Sequence, residues 1–271
     1  MFDPQLGVSL HTLSPDLNST LMEQVAHSRI ATLEVSARLF VTEKQNLATL
    51  PTLKALIRDR RIDVHTIHAL FGREYDLSSL DAQMQHRAMA AVRADIERAV
   101  ELDAPIVVVH ASAEPIAPQE RQDRLARVQT ALAEIEGWCQ QTGKQVAIEL
   151  LSRTCLGNTV EELLILLEGR DKTVFGVCLD TNHLMDRYPT LAETVRDLGN
   201  RLLTLHLSDY DGIDEQHAPP GRGVLDWAAF MQALRDIDYL GPFNYECELD
   251  GETPQARIAS LEQNFDWLST L

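Results

Sequence analysis

The sequence lacks several features that mark other classes of protein. None of its four cysteines forms a CxxC pair, and Cys178 and Cys247 lie inside apolar runs, where a thiol behaves as a small buried hydrophobe. No apolar run reaches the roughly 18 residues that suggest a membrane span. The N-terminal segment has no basic stretch ahead of an apolar run, which a signal peptide would have. We therefore expect a cytoplasmic protein with reduced cysteines.

Basic residues are also scarce. Lys and Arg total 24 against 41 Asp and Glu, which gives a formal charge of −17. A chain with this charge repels nucleic acid and anionic membranes at long range, so we expect neither as a partner. The acidic residues are spread along the predicted helices, which is typical of a solvated surface.

What the chain does contain is a regular alternation of strands and helices. Its 271 residues and 45% hydrophobic content suit one large α/β domain. Eight short runs rich in Val, Ile and Leu are typical of buried parallel strands. They cover residues 6–11, 32–35, 63–68, 106–110, 145–149, 175–180, 202–207 and 243–246.

Amphipathic stretches with helical spacing lie between these runs. The pattern predicts helices over residues 79–102, 121–141, 159–167, 191–198, 226–237 and 254–268. Ser14-Pro15-Asp16 is expected to open the first helix, Asn158 to cap the helix that starts near Thr159, and Gly143 to end the helix before residue 145. Eight strand–helix units predict a closed (β/α)₈ TIM barrel, with residues 1–271 as a single domain.

Polar residues end nearly every predicted strand. They are His11, Glu34, His68, His110, Glu149, Asp180, His206 and Glu246. TIM barrels build their active sites at the rim where the strands end. An apolar strand gains nothing from a buried carboxylate at its end unless that charge is paired or bound to a metal. The pattern therefore predicts a divalent metal site.

Three of these positions also have a plainer interpretation. Glu149 suits a solvated strand end, Asp180 a helix N-cap, and His206 a satisfied core histidine. Glu248 has the same strand parity as Glu246, so either glutamate is a candidate ligand from the eighth strand.

The irregular stretch 208–223 is expected to be a long loop beside the site. Within it, Asp209 is a candidate either to orient the ring of His206 or to cap the loop. Trp227, just beyond the loop, is expected to pack beneath the last helices rather than to contact substrate.

Six short motifs carry a family resemblance. They are HAL beginning at His68, VVVH ending at His110, IE ending at Glu149, LDTNH over residues 179–183, LHLSD around His206, and GPFNYE ending at Glu246. In this order and spacing they resemble the xylose-isomerase-like barrel superfamily of sugar isomerases and epimerases, which also contains endonuclease IV. The resemblance covers essentially the whole chain.

The resemblance implies a set of metal ligands. In the isomerases and epimerases one ion is held at positions that match Glu149, Asp180, His206 and Glu246. In endonuclease IV up to three zinc ions are held by further ligands, and the matching positions are His68, His110, His183, Glu215 and His217. Glu215 replaces an aspartate of that family, and Arg222 replaces a glutamate usual in both groups, so the number of ions, from one to three, and their identity (Mn, Mg, Co or Zn) stay open.

The resemblance further implies the chemistry. A small polyhydroxy ketone would chelate the ion, Glu149 and Glu246 would remove and return a proton beside the carbonyl, and other side chains would hold the substrate. The candidates for that role are His183, Arg222, Glu34 and His11. Related enzymes are often oligomers, so a homo-oligomer is possible.

Three other functions remain open at this stage. A zinc phosphodiesterase like endonuclease IV is favoured by the extra histidines and opposed by the acidic charge. A sugar or inosose dehydratase or lyase would begin with the same proton abstraction. A non-catalytic sugar-binding barrel is the third, because a fold alone does not define a function.

Overall fold

The computed structural model describes residues 2–41 and 44–271 of the chain. Its framework is one sheet of eight parallel strands. The strands are β1 Leu6–Ser9, β2 Thr32–Ser36, β3 Asp63–His68, β4 Ile106–Val109, β5 Gln145–Glu149, β6 Phe175–Asp180, β7 Leu202–His206 and β8 Phe243–Tyr245. All eight lie where the sequence predicts them, with boundaries that differ by one or two residues at most.

The sheet closes on itself. Strands adjacent in sequence are adjacent in space, and β1 also pairs with β8. The ring is completed by a bridge between Leu207 and Tyr245, where Leu207 N donates to Asn244 O at 2.8 Å and Glu246 N donates to Leu207 O at 3.1 Å. The predicted (β/α)₈ barrel is confirmed.

Helices surround the barrel. They are α1 Leu10–Leu13, α2 Ser19–Ala26, α3 Arg38–Val41, α4 Leu50–Arg58, α5 Ala82–Glu101, α6 Arg121–Thr142, α7 Val160–Leu166, α8 Leu191–Leu198, α9 Trp227–Asp236 and α10 Pro254–Leu268. Gly143 ends α6 in the left-handed region, with φ 68°, which confirms the predicted stop. Their apolar faces pack against the outside of the sheet, and all four cysteines are buried and unpaired.

The structure corrects the sequence interpretation at the first strand and helix. The strand β1 ends at Ser9, so His11 lies in α1. The next helix begins at Ser19 because the Asn18 side chain accepts a hydrogen bond from Leu21 N. Ser14 does not cap it; its hydroxyl bonds to the backbone of Asp16, which stabilises a local turn instead.

A second correction concerns the cap of α7. Thr159, not Asn158, is the N-cap, and its hydroxyl accepts from Glu162 N at 3.2 Å. Asn158 is engaged elsewhere, because its side chain donates to Arg153 O and accepts from Arg121. Among the described residues, none of the helices is long and apolar enough to cross a bilayer.

A close approach of β6 to β7 gives a test of the packing. A Cβ added at Gly176 would overlap the side chain of Leu203 and lie 2.5 Å from Arg201 O. We expect Gly176→Ala to lower the free energy of unfolding by about 1–3 kcal/mol. As a control, Gly137 in α6 has no atom within 4 Å of such a Cβ, so Gly137→Ala should raise it by about 0.5–1 kcal/mol. Urea denaturation of both variants measures the two changes in the free energy of unfolding. Equal changes in the two variants would contradict this account of the barrel packing.

Candidate active site

Four side chains converge at the carboxyl-terminal rim of the barrel. Glu149, Asp180, His206 and Glu246 each offer one ligand atom, and these atoms all lie within 4.8 Å of one another. Glu149, Asp180 and His206 end β5, β6 and β7, and Asp180 lies directly beside His206 in the strand register. The first three are almost completely buried. The closed ring therefore brings together residues nearly 100 positions apart in sequence.

The ring of His206 is held from behind by Glu34. Its Nε2 lies 2.9 Å from Glu34 Oε2, which also accepts a hydrogen bond from Thr66 Oγ1 at 2.9 Å. Nδ1 consequently faces the cluster, 2.7 Å from Glu246 Oε2 and 3.4 Å from Glu149 Oε1. Glu34 is fully buried and is not on the cavity wall, in contrast to the substrate contact expected from the sequence. Its position is that of a residue that fixes the orientation of the His206 ring.

The donor set of the cluster fits a divalent cation. Glu149 Oε2, Asp180 Oδ2 and His206 Nδ1 are buried atoms that make no hydrogen bond of favourable geometry within the described residues, although Glu149 Oε2 lies 2.9 Å from His110 Nε2 and His206 Nδ1 lies 2.7 Å from Glu246 Oε2. Buried polar atoms without partners cost free energy, and a metal ion is one of the few groups that satisfies several oxygens and an imidazole nitrogen at once. Mixed carboxylate and imidazole ligands suit Zn and Mn among biological metals.

Further histidines flank this cluster on two sides. On one side His68 Nε2 and His110 Nε2 lie 3.3 and 2.9 Å from Glu149 Oε2. On the other, His183 and His217 form a group with Asp180 whose ligand atoms lie within 4.8 Å of one another. The structure thus places the additional candidate histidines around the four-residue cluster.

The carboxylate of Glu215 is enclosed by hydrogen bonds. Its Oε1 lies 3.1 Å from His183 Nε2 and 3.6 Å from His217 Nε2. Its Oε2 accepts from Ser152 Oγ at 2.8 Å and from Arg153 Nη1 at 2.5 Å. The long loop after β7 is therefore tied to the loop after β5. Sequence reasoning missed Ser152 and Arg153, because nothing local to either loop signals a contact more than 60 residues away.

These residues surround an open cavity of about 620 Å³. Its wall is formed by His11, Thr12, His68, Phe71, His110, Glu149, Asp180, His183, Glu215, His217, Glu246, Cys247, Glu248, Leu249 and Arg257. Sequence reasoning did not assign Thr12, Phe71, Cys247, Leu249 or Arg257 to the site. The ring of Phe71 stacks on that of His110, with centroids 4.5 Å apart, so one part of the wall is aromatic.

Two other candidates lie away from the cluster. Arg222 is exposed, pairs with Asp250 through both Nη atoms, and is not on the cavity wall. Glu248 is exposed at the rim and belongs to none of the metal-ligating groups among the described residues. Of the two candidate glutamates from the eighth strand, the structure brings Glu246 to the cluster.

Asp209 caps the loop and does not touch His206. Its carboxylate accepts from Gly221 N at 2.8 Å, Leu225 N at 3.2 Å and Trp227 Nε1 at 2.8 Å. Trp227 is buried and packs edge-on against Phe230, in agreement with the packing role expected from the sequence. Asp209 therefore shapes the cavity through the backbone of the loop.

The carboxylates of the cluster have shifted pKa values. Burial opposes ionisation of Glu149, but the charges of His110 and His206 outweigh it and hold its pKa well below the ordinary value. Burial likewise opposes ionisation of Glu246, and His206 lowers its pKa below the ordinary value. At Asp180 burial prevails over His183 and His217 and raises the pKa. Two of the three carboxylates are thus stabilised as anions.

The pKa values of most histidines in the site are raised. Burial disfavours the charged imidazolium, but nearby carboxylates raise the pKa of His68 to about 9, of His183 to about 10 and of His217 to about 9. Cys178 together with Glu246, Glu34 and Glu149 raises the pKa of His206 well above its ordinary value. At His110 burial outweighs the attraction of Glu149, and the pKa is lowered. The carboxylates therefore stabilise positive charge among these side chains, which in this structure is carried by protonated histidines.

The fold and this cluster define a TIM barrel with a carboxylate–histidine centre at its carboxyl-terminal rim. Residues 32–271 match the family model described as xylose isomerase-like TIM barrel. The chain belongs to this family, which confirms the resemblance seen in the motifs.

The relatives of this chain include an uncharacterized protein, an epimerase and an endonuclease. The chain is 25% identical to an uncharacterized protein of Methanocaldococcus jannaschii, over 91% of this chain and 84% of the relative. It is 31% identical to a D-psicose 3-epimerase of Enterocloster bolteae, over 45% of this chain and 40% of that protein. It is 26% identical to a probable endonuclease 4 of Thermoplasma acidophilum, over 68% of this chain and 66% of the relative.

Solved structures share the fold. A D-tagatose 3-epimerase-like protein superposes with a TM-score of 0.81 at 23% identity, over 98% of both chains. An IolI protein with a bound zinc atom superposes with a TM-score of 0.81 at 16% identity, also over 98% of both chains. At these identities the likeness establishes the architecture.

Proposed function

We propose that this chain is a divalent-metal-dependent epimerase or isomerase that acts on a small polyhydroxy ketone. The observation that carries the proposal is the convergence of Glu149, Asp180, His206 and Glu246, whose ligand atoms lie within 4.8 Å of one another beside an open cavity. The names of the psicose and tagatose 3-epimerase relatives support this substrate class.

Glu149, Asp180, His206 and Glu246 would hold the ion. When bound there, a divalent cation polarises a substrate carbonyl and stabilises the developing oxyanion, which acidifies the neighbouring C–H. Glu34 keeps Nδ1 of His206 turned toward the cluster. Zinc in the IolI structure supports a metal in this fold.

Glu149 and Glu246 would move the proton. They come from β5 and from the end of β8, so they approach the cavity from different parts of the ring. The low pKa of each carboxylate keeps it ionised, which a proton acceptor must be, although a low pKa also makes a carboxylate a weaker base. One glutamate would take the proton from the carbon beside the carbonyl, and the other would return a proton to the opposite face or to the adjacent carbon.

The histidines on the cavity wall would position the hydroxyl groups. His183 is an exception, because its Nδ1 lies 2.9 Å from Leu150 O and its Nε2 lies 3.1 Å from Glu215, so its ring would shape the wall without bonding to a hydroxyl. The Nε2 atom of His11 is 3.7 Å from Glu246 Oε1, and His11 is a candidate hydrogen-bond partner for the substrate. Arg222, paired with Asp250 outside the cavity, has no such role in this proposal.

A zinc phosphodiesterase is the second candidate. The two further groups, His68–His110–Glu149 and Asp180–His183–His217, favour it, as do the relatives named endonuclease 4. The charge of −17 argues against it, because binding of a phosphodiester backbone needs several Lys and Arg side chains. A dehydratase or lyase would share the proton abstraction and differ only in its product.

The decisive test is proton exchange with solvent. Metal-replete protein is incubated in D₂O with D-psicose, D-tagatose, D-fructose and L-ribulose, and each sugar is followed by NMR. We expect at least one ketose to gain deuterium at a carbon beside its carbonyl and to yield an epimer or isomer. A dehydrated or cleaved product would instead identify a lyase. Absence of exchange together with cleavage of abasic-site DNA would overturn the proposal in favour of the phosphodiesterase.

A further inference from the structure

One arginine stands out on the cavity wall. Among the described residues that form this wall, Arg257 is the only Lys or Arg; the charged or ionisable neighbours are otherwise carboxylates, histidines and Cys247. In a chain with a charge of −17, a cation in this position is unusual. It lies in the first turn of α10, which follows the loop after β8.

The guanidinium of Arg257 is held in place by backbone carbonyls. Its Nε donates to Gly251 O at 3.1 Å, and its Nη1 donates to Leu13 O at 2.9 Å and to Thr12 O at 3.5 Å. These bonds fix a side chain that would otherwise lose considerable conformational entropy when it binds a ligand. Arg257 is therefore preorganised at the edge of the cavity.

Its charge is not neutralised by the protein. Within the described part of the chain, no carboxylate oxygen lies within 4.0 Å of Arg257 and its Nη2 has no hydrogen-bond acceptor. Arg222 and Arg153 differ in this respect, because Arg222 pairs with Asp250 and Arg153 with Asp214 and Glu215. Backbone carbonyls orient a guanidinium without cancelling its charge, so Arg257 retains donor capacity for an anion.

Arg257 lies in the same cavity as the candidate catalytic cluster and is linked to it through the segment 11–13. The carbonyls that hold it belong to Thr12 and Leu13, directly after His11, and His11 Nε2 lies 3.7 Å from Glu246 Oε1. The same cavity contains Arg257 and Glu246. A substrate whose reacting carbon lies beside Glu246 can thus extend toward the α10 end of the cavity.

We propose that Arg257 binds a terminal anionic group, a phosphate or a carboxylate, on the polyhydroxy substrate. The proposal rests on the function proposed above, and it narrows the substrate class to sugars with an acidic end. The Nη2 amino group supplies the free donors, and the charged hydrogen bond supplies the selectivity over a neutral hydroxyl.

The test uses ligands that cannot react, so that it does not depend on turnover. D-Sorbitol, D-sorbitol 6-phosphate and D-gluconate are titrated into metal-replete protein by calorimetry. We expect at least one anionic ligand to bind about 10- to 100-fold more tightly than D-sorbitol, because charge-assisted hydrogen bonds are roughly twice as strong as neutral ones. The stronger of the two anionic ligands identifies the acidic group.

Variants separate Arg257 from other sources of selectivity. Arg257→Met should abolish the preference for the anion while leaving the affinity for D-sorbitol unchanged, and Arg257→Lys should retain part of it. Arg222→Met, an exposed arginine outside the cavity, is the matched control and should bind all three ligands as the parent does. An anion that binds only through the metal would be insensitive to Arg257→Met.

The outcomes distinguish this proposal from the proposed function. If no anionic ligand binds more tightly than D-sorbitol, or if Arg257→Met weakens all three ligands equally, the anion site is wrong even where ketoses exchange deuterium. If the preference is present and depends on Arg257 but no ketose or ketose phosphate exchanges, the anion site stands and the epimerase assignment fails. Where Arg257→Met does not fold, Arg257→Lys measured against Arg222→Met decides the matter, because a preference that Arg257→Lys leaves undiminished would place the anion on the metal and overturn the site.

Discussion

Glu246→Gln is expected to lower kcat for the true substrate by about 10²- to 10⁴-fold, the range that general acid–base groups contribute. The substitution keeps the shape of the side chain and one oxygen that can face the cluster, but it removes the group that accepts a proton. Glu149→Gln is expected to have an effect of similar size, because the reaction requires one glutamate to remove the proton and another to return it. Initial rates and deuterium uptake measured on each variant give the loss.

The matched control is Glu248→Gln. Glu248 is a glutamate two residues from Glu246; it is exposed and lies on the cavity wall, but it is outside the four-residue cluster. Its substitution should change kcat less than threefold, well below the loss expected from a proton-transfer group. Full turnover by both Glu149→Gln and Glu246→Gln would contradict the proposed mechanism. A large loss of kcat only in Glu248→Gln would assign the proton transfer to Glu248. Metal content of every variant is measured by elemental analysis, so that loss of the ion is separated from loss of the proton-transfer group.

Removal of the metal is expected to have the second large effect. Dialysis against a chelator should abolish turnover and lower the melting temperature by roughly 5 °C or more, since a ligand at 100 times its Kd stabilises the folded state by about 2.7 kcal/mol. The physical reason is that buried atoms of Glu149, Asp180 and His206 make no hydrogen bond of favourable geometry, and the ion would satisfy them. Differential scanning fluorimetry before and after addition of Mn²⁺, Co²⁺, Mg²⁺ or Zn²⁺ measures the recovery.

Asp180→Asn provides the internal comparison for this experiment. We expect its melting temperature to respond little to chelator or metal, because it lacks the carboxylate charge at the centre of the cluster. Elemental analysis of the parent protein should find about one ion per chain. Two or three zinc ions would favour the phosphodiesterase, whereas no bound metal and no response to chelator would favour a binding protein and contradict the proposal.

Local patterns predicted the barrel and the residues at its rim. Buried parallel strands have continuous apolar sequences, and the polar residue that ends each run is visible without any tertiary information; Glu149 after Val-Ala-Ile and Asp180 after Val-Cys-Leu are examples. The first strand was the exception. Residues 6–11 form one apolar run ending in His11, but the backbone turns into α1 after Ser9, and strand propensity alone does not mark that turn.

Contacts between distant segments were not predictable in the same way. Glu34 and His206 both end predicted strands, yet the 2.9 Å contact that places Glu34 behind the ring depends on which way two side chains 172 residues apart are turned. Arg222 and Arg257 show the same limit. Both follow loops near the rim, but only Arg257 lies on the cavity wall, while Arg222 pairs with Asp250.

By itself the sequence determined the number of strands, their order, and the residues that meet where the strands end, because hydrophobic periodicity and parallel pairing are local properties repeated along the chain. Only the tertiary structure decided which of those residues face one another: Glu246 joins the cluster in place of Glu248, Glu34 lies behind His206, and Arg257 reaches the cavity. The reason is that the direction of a side chain at the rim of a closed barrel depends on the register between strands and on the course of the loops that connect them. Neither the register nor the course of a loop can be read from one segment of sequence alone.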